Sequence, residues 1–237
     1  MEEAIIEVQD LWFSFSGQPV LCRASLTVPQ GDFLVIIGPN GGGKTTLLKL
    51  ILGLLKPDRG TVRLFGRTPV EAAHRIGYVP QNVHVNKTFP VSVFDVVLMG
   101  RLRQGGGWSR HSREDRRAAQ TALERMKVWE LRGKRIGELS GGELQRVFIA
   151  RALVSGPEVL FLDEAMASID AHGRGEFYDA LKELNRTVTI VAVSHDLMQP
   201  MNAARLFSAA LSIQEEGLSP EAQKLVQHLD SSLRSAE

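Results

Sequence analysis

Between Gly38 and Thr45 the chain reads G-x-x-x-x-G-K-T, a spacing suited to holding a crowded polyanion. Gly38, Gly41, Gly42 and Gly43 have no side chain to obstruct a phosphate chain, and glycine tolerates positive φ. Their N–H groups can therefore turn inward as an anion nest. A helix opening near Lys44 adds the positive end of its dipole. Lys44 supplies a mobile cation suited to β- and γ-phosphates, and the Thr45 hydroxyl is suited to Mg²⁺. The plain alternative is a glycine-rich turn ahead of a helix.

Three further groups of residues can join such chemistry. Val159 to Leu162 is an apolar run that ends in the acidic pair Asp163-Glu164. A carboxylate pair at the C-terminal end of a buried strand lies where α/β sheets bind ligands. Asp163 can hold Mg²⁺ through water, and Glu164 can orient and polarise an attacking water. Thr187 to Val193 is another apolar run, ending in Ser194-His195-Asp196. A lone histidine is commonly structural, but His195 would share an edge with the glycine loop and the acidic pair. Leu139-Ser140-Gly141-Gly142-Glu143-Leu144-Gln145-Arg146 places a hydroxyl and two glycines before an apolar helix, a second anion-ready helix start or an ordinary cap.

The elements that must position these residues are legible from their periodicity. Phe33 to Ile37 is apolar without alternation, as in a strand buried on both faces. After Thr46 the pattern turns helical, with Leu47, Leu48, Leu50 and Ile51 apolar. Residues 4 to 15 and 20 to 28 alternate, and Thr61 to Phe65 is a short run between Gly60 and Gly66, so an antiparallel layer is predicted beside the parallel one. Ile76 to Gln81 predicts a strand that stops at a polar amide, with Pro80 holding its predecessor extended. Residues 91 to 103 predict a helix, and Gly105-Gly106-Gly107-Trp108 breaks it. Ser112 with Asp115 forms a capping box for a helix with a stripe of Ala118, Ala119, Ala122, Leu123 and Met126.

Bulk composition narrows the classes. The 237 residues carry 28 basic and 27 acidic side chains, a net charge of +1 that argues against a protein devoted to coating nucleic acid. The single cysteine, Cys22, reads as small core filler in a reducing compartment. No apolar run reaches the ~18 residues of a membrane span. Met-Glu-Glu is acidic where a signal peptide is basic, so a cytosolic protein is expected, touching a membrane through a partner.

The motifs, in this order, resemble the nucleotide-binding subunit of an ATP-binding-cassette (ABC) transporter. Gly38 to Thr45 resembles Walker A, Gln81 the Q-loop, and Leu139 to Gln145 the family signature Leu-Ser-Gly-Gly-x-x-Gln. Val159 to Asp163 resembles Walker B, with Glu164 at the catalytic glutamate. Ser168-Ile169-Asp170 falls at the D-loop, His195 at the switch histidine, and Phe15 where the family sets an aromatic against adenine. On composition alone, a lone Phe such as Phe15 reads as core packing. The resemblance spans roughly residues 5 to 196 and departs from the family at Ala165, where Pro is usual, and after Leu197.

What the resemblance implies is definite. The fold is α/β: a P-loop NTPase (RecA-like) core with an antiparallel β subdomain and an inserted helical subdomain. The core takes residues 1–81 and 146–215 and the insert 82–145; the tail's own pattern, Ser219-Pro220-Glu221 ahead of a stripe of Ala222, Leu225, Val226, Leu229 and Leu233, predicts a C-terminal helix over 216–237. ATP is held by Phe15, Gly38, Pro39, Asn40, Gly41, Gly42, Gly43, Lys44, Thr45 and Thr46, and Mg²⁺ by Thr45, Gln81 and Asp163. Glu164, His195 and Gln81 are catalytic. Two copies pair head to tail, so that Ser140, Gly141, Gly142 and Glu143 of one close on ATP held by the other, with Asp170 in the D-loop. The expected partners are integral membrane permease subunits and, through them, an extracytoplasmic binding protein. The expected location is the cytoplasmic face of the plasma (inner) membrane.

The segments Phe89 to Arg101 and Glu176 to Asn185 resemble bacterial zinc and manganese importers in particular. Iron chelates are the alternative cargo. A cluster of arginines (101, 103, 110, 113, 116 and 117) motivates a second reading, a soluble ABC-type ATPase acting on nucleic acid or ribosomes. A non-hydrolysing ATP-binding regulator is a third.

Overall fold

The computed structural model describes residues 4–81, 89–101, 111–165, 171–194 and 205–208. Two sheets form. The smaller is antiparallel in the order β2-β1-β4, from Ala4–Phe15 (β1), Gln18–Pro29 (β2) and Arg59–Leu64 (β4). The larger is parallel in the order β5-β6-β7-β3-β8, from Phe33–Ile37 (β3), Ile76–Val79 (β5), Val159–Asp163 (β6), Thr189–Ser194 (β7) and Arg205–Ser208 (β8). All residues of β6 and β7 are buried, which explains why their sequences lack polar alternation.

The parallel sheet separates two apolar clusters. Odd-numbered Val159, Phe161, Val191 and Val193 face one side, packed with Leu47, Leu48, Leu50 and Ile51 of helix α1 (Lys44–Ile51) and with the antiparallel sheet. Even-numbered Leu160, Leu162, Ile190 and Ala192 face the other. There they meet helices α3 (Val93–Leu98), α4 (Arg113–Arg125), α5 (Gly141–Leu153) and α6 (Ala171–Asn185); the four-residue α2 (Pro69–Ala72) lies between β4 and β5. Because side chains alternate along a strand, one register decides which cluster each joins.

Local chemistry sets these helices. Ser112 Oγ accepts from Asp115 N at 3.1 Å, and Asp115 Oδ2 accepts from Ser112 N at 2.9 Å, completing the box that opens α4. Arg101 adds a 2.7 Å bond to Asp115 Oδ1. That bond, with the Ser112 bonds, holds the Asp115 carboxyl down at about 2. The turn after α3 packs so closely on α5 that a Cβ at Gly100 would lie 2.2 Å from the Arg151 carbonyl oxygen. At the far end of the sheet, the Asn185 amide lies 3.1 Å from the carbonyl oxygens of Gly31 and Asp32, fixing where β3 begins.

Cys22 corrects one expectation. It is part-exposed, while its neighbour Leu21 takes the core position at 1% exposure. The alternation of β2 puts the two on opposite faces. Helix α5 runs unbroken through residues 145 and 146, where the helical insert was expected to meet the core. The expected C-terminal helix at 216–237 lies outside the described residues, as do Gly105 to Trp108 and Arg103 and Arg110.

Candidate nucleotide site

Parallel pairing aligns the ends of four strands at one edge. Ile37 of β3 pairs with Ser194 of β7, Val193 with Asp163 of β6, and Leu162 with Val79 of β5. The glycine loop leaves β3 at this edge, the acidic pair leaves β6, and Gln81 follows β5. The sheet thus gathers residues scattered over more than a hundred positions of sequence.

In the loop, Gly41 and Gly43 sit at φ 81° and 79°, a region costly to any residue with a Cβ. A Cβ at Gly43 would also lie 3.0 Å from Leu21 Cδ2 and 3.2 Å from the Val20 carbonyl oxygen. Helix α1 starts at Gly43 with no side-chain cap and no acidic residue in its first turn, whereas α3, α4 and α5 are capped by Ser92, Ser112 and Ser140. Its first N–H groups are thus left to an anion. Lys44 is only 4% exposed, and its ammonium donates to Gly38 O and Pro39 O, both at 2.9 Å. The cation is thereby laid along the loop.

Thr45 Oγ1 donates to Asp163 Oδ1 at 3.0 Å, joining the loop to the acidic pair. Asp163 is 2% exposed. Burial pushes its carboxyl up, the Thr45 hydroxyl works against that, and the Glu164 charge adds to it. The Tyr78 hydroxyl stands 3.5 Å from Asp163 Oδ2. Burial and the Asp163 charge push this phenol up to about 12, so it remains protonated. Glu164 has φ 49° and donates its N–H to Val193 O at 3.1 Å, one step beyond the last pair of the β6–β7 ladder. A left-handed non-glycine residue here carries backbone strain. The turn brings its side chain to Gln81, whose Nε2 donates to Glu164 Oε2.

Thr45 and the buried Asp163 offer a hydroxyl and a carboxylate in contact, and Gln81, held on Glu164 through its amide nitrogen, keeps its amide oxygen as a further hard donor. That chemistry fits Mg²⁺. Among the described residues no group of three His, Cys, Asp or Glu could hold a metal ion.

Phe15, at the end of β1, is 52% exposed and meets Phe13 edge-on at 4.7 Å between centroids. It is therefore surface, not core. Ser140 caps α5: its Oγ accepts from Glu143 N at 3.3 Å, and Glu143 Oε2 accepts from Ser140 N at 2.8 Å. The backbone bond from Ser140 lowers the Glu143 carboxyl. Gln145, in the first turns of α5, buries its amide nitrogen without a hydrogen-bond partner. Asp170 and His195 lie outside the described residues. The Tyr78 hydroxyl has no local signal in the sequence; only the pairing of Tyr78 with Phe161 sets it on the same face of the sheet as Asp163.

A model of the ABC transporter family matches residues 21–167, which include the glycine loop, the signature and the acidic pair. The chain belongs to the ABC transporter family. It is therefore an ATP-binding, ABC-type ATPase subunit, of a kind that works with membrane permease subunits. It is 40% identical over 195 residues to the high-affinity zinc uptake system ATP-binding protein ZnuC of Bacillus subtilis (strain 168), covering 81% of this chain and 84% of that protein. It is 40% identical over 193 residues to the manganese transport system ATP-binding protein MntB of the same organism, covering 81% and 77%. A nucleotide-free ATP-binding cassette from an ABC transporter superposes with a TM-score of 0.79 at 27% identity, over 95% of this chain and 96% of that one. Among the described residues of this ABC subunit, no helix is long and apolar enough to cross a membrane.

Proposed function

We propose that this subunit hydrolyses ATP in a head-to-tail pair of copies to drive zinc or manganese import. The observation that carries the catalytic part is the chain of contacts from Thr45 to Asp163 and from Gln81 to Glu164, which unites a phosphate loop with an acidic pair at one sheet edge. The cargo rests on relatives named for zinc and manganese uptake.

In this reading the loop from Gly38 to Gly43, with Pro39, Asn40 and Thr46, encloses the phosphates, and Lys44 leaves the carbonyls of Gly38 and Pro39 for the β- and γ-phosphates. Phe15 offers its exposed ring to the adenine. Thr45, Asp163 and Gln81 would hold Mg²⁺, which would supply positive charge against the phosphates. Glu164 takes a proton from the attacking water, with Gln81 positioning its carboxylate. Ser140, Gly141, Gly142 and Glu143 of the second copy close the other side of the nucleotide, with Asp170 and His195 completing the interface. Loss of the terminal phosphate removes the bridge and the copies part, a motion that Gln81 and the helices following it transmit to the permease.

The same reading places the subunit on the cytoplasmic face of the membrane, with a binding protein delivering cargo to the permease. Of the arginines that motivate the nucleic-acid alternative, Arg101 is engaged by Asp115 at 2.7 Å and Glu114 at 3.5 Å. Uptake of labelled zinc and manganese in cells lacking the gene tests the proposal. Wild type restores uptake of one of these ions and Lys44→Ala does not. Uptake unchanged by deletion overturns the cargo assignment.

A further inference from the structure

The register of β5 against β6 places Tyr78 directly opposite Phe161, and Asp163 lies two residues further along β6 on the same face. Ile76, Tyr78, Val159 and Phe161 all join the cluster packed under α1. A diagonal neighbour of this kind is within reach of an aromatic side chain. The phenol ring therefore packs along the sheet while its hydroxyl extends to the C-terminal edge. There it stands 3.5 Å from Asp163 Oδ2, while Thr45 holds Oδ1 at 3.0 Å. Each carboxylate oxygen has its own hydroxyl, one from the glycine loop and one from the strand that leads to Gln81.

We infer that Tyr78 is a positioning residue for the metal carboxylate, fixing the rotation of Asp163 through Oδ2 so that Oδ1 faces the Thr45 side. The inference rests on the reading of Asp163 as a Mg²⁺-holding group. When Thr45 turns its oxygen lone pairs to a cation, its O–H can still be donated to Asp163 Oδ1, and Tyr78 on Oδ2 fixes the carboxylate at its second oxygen, so that it cannot swing. The phenol is suited to this role because its ring is anchored among apolar side chains and its hydroxyl reaches Asp163 Oδ2. Tyr78 also precedes Gln81 by three residues, so one strand end sets both a metal-facing amide and the carboxylate beside it.

The test compares affinity for a fluorescent ATP analogue with Mg²⁺ and in EDTA, in wild type and in Tyr78→Phe. This change removes one hydroxyl and keeps the ring. Affinity with Mg²⁺ should weaken about three- to tenfold, the effect of one hydrogen bond, while affinity in EDTA stays within about twofold. Ile76→Val, which trims packing on the same face, should leave the ratio of the two affinities unchanged. An unchanged Mg²⁺ affinity in Tyr78→Phe, or equal weakening in EDTA, overturns the role of Tyr78 and leaves the ATPase reading standing. A wild type whose nucleotide affinity ignores Mg²⁺ takes down both.

Discussion

Thr45 Oγ1 and Asp163 Oδ1 lie 3.0 Å apart across 118 residues of sequence, and this bond ties the phosphate loop to the acidic end of β6. Its loss has two effects. Asp163 is 2% exposed, so a carboxylate oxygen would be left buried without its donor, at a cost of ~1–3 kcal/mol. A hydroxyl suited to Mg²⁺ would also go. Thr45→Val should therefore lower thermal stability and weaken Mg²⁺-dependent nucleotide binding roughly tenfold. Thr45→Ser should retain both. Calorimetry and nucleotide titration check these outcomes.

Ser140 separates capping from phosphate contact. Asp is as good an N-cap as Ser, so Ser140→Asp should hold the start of α5 with little change in stability. It would nevertheless set a negative charge where the proposed pairing places the partner's phosphates, a mismatch costing several kcal/mol. The expected outcome is a nearly unchanged melting temperature with ATP turnover reduced at least ~100-fold. Phosphate release and a thermal melt on one preparation measure both.

Asp115 gives a stability prediction with a defined sign. Its carboxyl lies at about 2 when folded against an ordinary value of 3.8, held down first by Arg101 and then by Ser112. A depressed carboxylate stabilises the fold fully above the ordinary value, and the contribution is lost as pH falls through the folded one. Asp115→Ala should lower the melting temperature at neutral pH by about 2–4 °C, corresponding to ~1 kcal/mol for loss of the capping box. The gap between wild type and variant should narrow below pH 3.8 and close near pH 2. Melts across that range test it.

Much of this arrangement is written in local chemistry. The unbroken apolar runs from Phe33 to Ile37 and from Val159 to Leu162 announce strands packed on both faces, because no polar side chain interrupts them. Ser112 and Asp115 announce α4 because a capping box needs only residues three apart. Long-range register is less legible. Nothing local to Tyr78 says that it lies opposite Phe161 and diagonal to Asp163. Nothing at Glu164 announces a left-handed backbone or a bond from Gln81. The strand order of the parallel sheet follows from packing between distant segments, and Cys22 went to the outer face because a two-residue period cannot by itself say which side is the core. Phe15 reads as core packing on composition, and only the open end of β1 shows that its ring is exposed.

The central claim is that ATP joins two copies of this chain and hydrolysis releases them. Glu164→Gln removes the group proposed to take the proton from water and should slow turnover roughly 10²- to 10⁴-fold without weakening ATP binding. The most direct measurement is the mass of that variant in solution by light scattering with saturating ATP and Mg²⁺. A dimer with ATP that reverts to monomer with ADP is the predicted result; a monomer throughout, with ATP bound, would contradict the claim.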